Sequence, residues 1–200
     1  MSRIPKSYVG YALPTGKDAR VHVELFADVL CPFSKKAYLK LKEVTEHYSQ
    51  KGTPIQFKVV NAVQPWHPQS YYLTLTTAAV NLLSKKKTQS DEVAFKLLDK
   101  LFQSQEEYSD ENVADKTPNQ ITKQLVDVAS EVSGLTQDEI QQQIKQDSTV
   151  VYVKGQIKYA RQNAVHVTPT VAVNGLIENS VSSSWTLEQW TEFLDPILQN

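Results

Sequence analysis

The run Val23-Glu24-Leu25-Phe26-Ala27-Asp28-Val29-Leu30-Cys31-Pro32-Phe33-Ser34 constrains this chain more than any other stretch, because it dictates a strand that hands over to a helix. Val21 to Asp28 alternates and is rich in β-forming residues, the pattern of a strand. Pro32 is the residue type favoured at a first helical position, where its missing N–H has no intrahelical acceptor to lose. Cys31, the only cysteine of the 200 residues, is then the N-cap. A sulfur there faces unpaired backbone N–H groups and the positive end of the helix dipole. Both favour the thiolate, which is the reactive form.

The elements that follow can be ordered from periodicity. Pro32 to Gln50 carries Ala37, Leu39, Leu41, Val44 and Tyr48 among lysines and reads as a surface helix ending at Gly52. Ile55 to Val63 is a second strand, and the strand–helix–strand unit implies parallel strands with a right-handed crossover. Gln69 to Ser84, Asp91 to Gln105, Pro118 to Ser133, Thr136 to Gln146 and Ser148 to Ala164 all read as helices, with Thr136 and Glu139 at capping-box spacing. Glu106 to Thr117 is a loop without a clear pattern. Strand character returns at Thr170 to Val173, Asn174-Gly175 signals a two-residue hairpin, and Leu176 to Ser180 is the returning strand. Trp185 to Leu198 closes the chain as an amphipathic helix. Residues 1–200 read as a single domain, with 69–164 as a helical insertion.

Composition limits the function. A net charge of −1 gives no electrostatic case for nucleic acid or an anionic membrane surface, and no apolar run is long enough to span a bilayer. Met1 to Arg20 is polar, without the apolar core of a signal peptide, so a cytoplasmic protein is expected. One cysteine excludes an intramolecular disulfide and an all-cysteine zinc site, and the four dispersed histidines show no metal-ligand spacing.

A second cluster, His166-Val167-Thr168-Pro169-Thr170, lies far downstream and leads into the third strand. Cys31-Pro32-Phe33-Ser34 after strand one, Asp28 three residues earlier, and Thr168-Pro169-Thr170 before the Asn174-Gly175 hairpin together resemble the thioredoxin superfamily, and within it the DsbA-like branch. The resemblance covers roughly residues 21–198 and implies an α/β thioredoxin fold, β-α-β then β-β-α, with the helical insertion between its halves. It implies further that Pro169 is cis beside the active cysteine and that Thr168 offers its backbone to an extended substrate.

The departure from that pattern is Ser34, where DsbA-like oxidases carry a second cysteine. A dithiol is needed to store a disulfide within one molecule, so this chain is limited to monothiol chemistry. Cys31 could form a mixed disulfide with glutathione or a protein thiol, or stop at a sulfenic acid. The site is also similar to the Cys-Gly-Phe-Ser of monothiol glutaredoxins, with Pro32 in place of glycine, and to the helix start of kappa-class glutathione transferases, where a serine meets the glutathione sulfur. Three functions therefore stand: a monothiol thiol-disulfide oxidoreductase, with glutathione as a possible co-substrate and no tightly bound cofactor; a kappa-like transferase or isomerase; and a non-catalytic peptide-binding protein.

Cys31 and Ser34 are the candidate catalytic pair, with Pro32, Phe33, Trp66, His67, Thr168 and Pro169 as candidate substrate contacts. The bland reading of Cys31 is a small buried hydrophobe. That of Ser34 is a first-turn residue bonded to backbone, against a hydroxyl on the Cys31 sulfur. Asp28 either tunes proton transfer or, as the residue pattern slightly favours, bonds the N–H groups of the following turn. Gln64-Pro65-Trp66-His67-Pro68 leaves strand two on the same rim as Cys31, and its histidine is expected to face solvent. His166, three residues before Pro169, either approaches the thiolate or caps the preceding helix, and His22 and His47 are expected to lie on the surface.

Overall fold

The computed structural model describes residues 9–13 and 19–199, so most of the polar leader read from the sequence lies outside the described residues. The chain runs through β1 (Tyr11–Ala12), β2 (His22–Ala27), α1 (Pro32–Gln50) and β3 (Gln56–Asn61). It continues through α2 (Ser70–Thr88), α3 (Glu92–Gln103), a 3-10 turn at Gln105–Tyr108, α4 (Asp110–Val113), α5 (Pro118–Ser133), α6 (Gln137–Ile144) and α7 (Asp147–Gln162). It closes with β4 (Thr170–Val173), β5 (Leu176–Ile177) and α8 (Leu187–Leu198). Among the described residues the strands form one sheet in the order β1-β3-β2-β4-β5. β2 and β3 are parallel from His22↔Gln56 to Ala27↔Asn61, and β4 runs antiparallel to β2, with Phe26 opposite Thr170.

This register brings three chain segments to one rim. The C-terminal ends of β2 and β3 and the N-terminal end of β4 coincide there, so the segments carrying Cys31, His67 and Thr168 emerge together. The two faces of β2 follow its alternation. Val23, Leu25 and Ala27 join the main core with Tyr38 and Leu41 of α1, Trp190 and Leu194 of α8, and the apolar residues of α3 and α5. Phe26 points the other way, into a small cluster with Val60, Ala160 and Ala172 beneath α7.

Local chemistry sets the helix ends. The side chains α1 buries — Ser34, Ala37, Tyr38, Leu41, Val44, Thr45 and Tyr48 — recur at helical spacing and give it one core-facing stripe. Thr117 with Gln120, Thr136 with Glu139 and Thr186 with Gln189 form complete capping boxes at the starts of α5, α6 and α8. Such a cap is worth about 1 kcal/mol.

Residues 69–164 hold no strand, so the insertion is helical as the sequence implies. It docks on α1 through Tyr38, whose ring stacks on Phe102 at 4.6 Å and whose hydroxyl donates to Asp99 at 2.8 Å. Lys42 of α1 pairs with the same carboxylate at 2.6 Å.

Three expectations change. The patternless loop contains the 3-10 turn and α4, held by short-range bonds such as the Asn112 N–H to the Ser109 hydroxyl that no apolar period announces. The returning strand stops at Ile177, because beyond it the Glu178 N–H makes the last bond to Val171. Strand β1 is new. It pairs antiparallel with β3, and Gly10, at φ +95°, makes the approach possible: a Cβ there would sit 2.5 Å from the Val59 carbonyl oxygen.

Candidate active site

Cys31 occupies the N-cap of α1 with extended backbone, φ −74° and ψ 120°, and Pro32 follows in the first turn. Its amide donates to the Asp28 carbonyl at 3.1 Å, closing a tight turn, and its own carbonyl accepts from Lys35 at 3.1 Å to begin the helix. The side chain makes no capping bond to the helix; the thiol instead donates to the Thr168 carbonyl at 3.2 Å. The expectation that the sulfur meets the free N–H groups of the helix start is therefore corrected: the neighbouring strand entry offers it an acceptor. The residue is 7 % exposed. The Thr168–Pro169 peptide bond is cis, and both residues are half-buried beside the sulfur.

Ser34 is fully buried, and its hydroxyl oxygen accepts the Asp28 N–H at 3.3 Å. Among the described residues no hydrogen bond joins it to Cys31, so of the two readings of Ser34 the backbone one holds. The first turn of α1 carries the side chain inward, onto the Asp28 N–H at the strand end.

Asp28 is the polar centre of the site. It is 1 % exposed, and its carboxyl accepts from the Leu30 N–H at 2.8 Å, the Gln64 N–H at 2.7 Å and the Ser70 hydroxyl at 2.5 Å. The bond to Leu30 is the turn-stabilising role read from sequence. The other two tie the active-site turn to the loop after β3 and to the first turn of α2. His67 is not solvent-facing: its ring is 21 % exposed and Nδ1 lies 3.4 Å from the Asp28 carboxyl, within charge-pairing reach though not aligned for a hydrogen bond. The bonds from Gln64 and Ser70 on either side draw the loop in over the carboxyl.

The rim around this centre is apolar and open. Phe33 and Trp66 are each 56 % exposed, and Val167 is 61 % exposed. Pro32 is also exposed. Lys36 stands over the Phe33 ring at 5.7 Å, and Trp66 meets His67 edge-on at 6.3 Å. His166 is exposed and lies beyond α7, which ends on Asn163 with bonds back to Tyr159 and Ala160, so it does not cap that helix. His22 is exposed as expected, whereas His47 is half-buried, its Nε2 enclosed and its ring edge-on to Tyr48.

On the α7 side of the sheet, Glu24 pairs with Lys58 at 2.5 Å and accepts from the Tyr159 hydroxyl at 2.8 Å. Burial, with the Glu24 carboxylate beside it, pushes the Tyr159 phenol up from 10.0 to about 12. Sequence reasoning passed over Glu24 because its partners among the described residues lie 34 and 135 positions away. It missed Gln64, Ser70 and Gln105 for the same reason. Gln105 donates its side-chain amide to the carbonyls of Val29, at 2.5 Å, and Cys31, at 3.1 Å. Among the described residues no helix is long and apolar enough to cross a membrane, and no group of three or more histidine, cysteine or acidic side chains is placed to hold a metal ion.

A cysteine at the start of the helix after the first central strand, with its thiol on the carbonyl of Thr168 at the entry to the antiparallel strand, is the arrangement of a thioredoxin fold. The profile of the family described as Thioredoxin matches residues 15–196, and the chain belongs to that family. Among solved structures, a candidate protein-disulfide isomerase from Pseudomonas syringae is 26 % identical with a TM-score of 0.75, the match covering 92 % of this chain and 97 % of that one. DsbA from Chlamydia trachomatis superposes with a TM-score of 0.71 at 12 % identity, covering 100 % and 95 % of the two chains. Oxidised BdbD from Bacillus subtilis does so at 0.68 and 17 %, covering 96 % and 94 %. The last two likenesses speak for the fold alone. No curated protein matches the chain.

Proposed function

We propose that this protein is a monothiol thiol-disulfide oxidoreductase that forms a mixed disulfide on Cys31 with an extended polypeptide, or with glutathione. The observation that carries the reading is the 3.2 Å contact from the Cys31 thiol to the Thr168 carbonyl. The contact sets the sulfur beside a strand-entry carbonyl that keeps a second lone pair for the backbone N–H of a strand laid along it. The nucleophile and the docking edge therefore adjoin.

The step balances without a further reagent. The thiolate attacks one sulfur of a disulfide, a new S–S bond forms as the old one breaks, and the departing sulfur leaves as a thiolate that takes up a proton. Ser34 has no sulfur with which to release the partner, so release needs an outside thiol; glutathione in a cytoplasmic setting would fill that role. The exposed Phe33, Trp66 and Val167 favour a partner with apolar side chains. The kappa-like reading draws less support, because the position of that serine is held here by the Cys31 thiol.

The test is intact mass after exposure to oxidised glutathione and, separately, to a cysteine-containing peptide disulfide. One adduct, on Cys31 and reversed by reductant, is the expected result. A folded protein whose Cys31 takes neither partner would leave the non-catalytic binding reading as the better account.

A further inference from the structure

We infer that Gln105, on the helical insertion, is a positioning residue for Cys31; the inference rests on the monothiol reading above. The Gln105 side-chain amide spans the active-site turn, donating to the carbonyls of Val29 and Cys31 on either side of Leu30. The N–H groups of this turn are held by Asp28, and Gln105 holds its carbonyls. The Cys31 carbonyl also accepts the Lys35 N–H, the first bond of α1, so Gln105 fixes the direction of that carbonyl at the point where the helix begins.

The segment that carries the amide is itself held. Gln69, at the start of α2, donates to the Tyr108 carbonyl at 2.8 Å and to the Asp110 carboxyl at 2.8 Å, fastening the segment that carries Gln105. The next residue, Ser70, bonds Asp28, whose carboxyl accepts from Leu30. The insertion thus grips the cysteine turn twice, once through Asp28 and once through Gln105.

The Cys31 side chain has one free torsion about Cα–Cβ. Where its sulfur stands relative to the Thr168 carbonyl therefore depends on how the backbone of residues 29–31 is oriented. Fixing that backbone fixes the approach of sulfur to a disulfide already laid along Thr168. A reagent that arrives from solvent with no register to keep makes no such demand. Positioning therefore separates the two kinds of reaction, where a general loosening of the fold would not.

The experiment compares the full-length protein with Gln105→Met, which keeps the length and removes both donors. Two rates are read: alkylation of Cys31 by iodoacetamide, and release of thionitrobenzoate from a short apolar peptide whose cysteine carries it as a mixed disulfide. In the variant the peptide reaction is expected to slow about tenfold, as for a reacting group held slightly out of place. Iodoacetamide should stay within about twofold, because no docked geometry is required of it. Should Gln105→Met fail to fold, Gln105→Asn, whose amide is one methylene too short to span both carbonyls, is expected to show the same split. Equal slowing with both reagents, or none with either, overturns the assignment and leaves the monothiol reading standing. A parent protein that alkylates normally yet never releases thionitrobenzoate from the peptide, and takes no adduct from oxidised glutathione, overturns both.

Discussion

The Ser70 hydroxyl donates to the Asp28 carboxyl at 2.5 Å, and so the first helix of the insertion is bonded to the strand end three residues ahead of Cys31. Both residues are fully enclosed, at 0 % and 1 % exposure. A buried acceptor that loses a donor retains its desolvation penalty, so Ser70→Ala should lower stability by about 1–2 kcal/mol. Urea unfolding checks this, and an unchanged midpoint would mean the bond contributes nothing to holding the insertion on the site.

Ser34→Cys is expected to create dithiol activity. It places a second sulfur one helical turn from Cys31, able to attack a mixed disulfide and release the partner. Reduction of insulin disulfides in the presence of a reductant should appear in the variant and be absent in the parent. The exchange also weakens the bond the Ser34 oxygen accepts from the Asp28 N–H, at a cost of about 1 kcal/mol to the reduced form. A variant that folds, alkylates at both sulfurs and still fails on insulin would show that the buried position cannot be brought to Cys31.

Glu24→Gln removes the carboxylate from beside Lys58, whose side chain is only 12 % exposed. Lys58 keeps other contacts, the Tyr159 ring at 5.4 Å among them, so the expected loss is about 1–2 kcal/mol and not the full penalty of a stranded buried charge. The Tyr159 hydroxyl bond to the same carboxylate weakens with it. A loss under about 0.5 kcal/mol, measured by denaturant unfolding, would place this pair with ordinary surface ion pairs.

The tyrosines give stability an alkaline limit. Burial first, and then Glu24, raise the Tyr159 pKa from 10.0 to about 12, while burial with Glu107 and Asp127 raises that of Tyr108 to about 12. A phenol whose folded pKa is raised stabilises the folded state fully below the unfolded value. That contribution is lost as pH climbs through the folded one. Stability should therefore decline between pH 10 and about 12, and Tyr159→Phe should flatten part of the decline. Urea midpoints across that range read the effect, and identical profiles for parent and variant would remove Tyr159 from it.

Elements with a strong apolar period, or with their own stop and start signals, could be read without the structure. α1 runs from Pro32 to Gln50 and α5 from Pro118 to Ser133, at the boundaries expected from the prolines and the apolar stripe. The Thr136–Glu139 capping box and the Asn174-Gly175 turn, with both residues at positive φ, are likewise local chemistry. β1 could not be read, because two residues carry no period and their pairing depends on a close approach at Gly10 to a strand nearly fifty residues away.

By itself, the sequence determined that a lone cysteine opens a helix after a central strand, that a Thr-Pro step opens the antiparallel strand, and that a helical block lies between. Each of these follows from the conformational preferences of neighbouring residues. Only the tertiary structure decided what the cysteine touches. That its thiol donates to Thr168, that Ser34 turns inward to Asp28, that His67 folds over a buried carboxyl and that Gln105 spans the turn are all matters of long-range proximity. Polar side chains are satisfied by whichever donor or acceptor packing brings within about 3 Å. No periodicity in the chain encodes which one that will be.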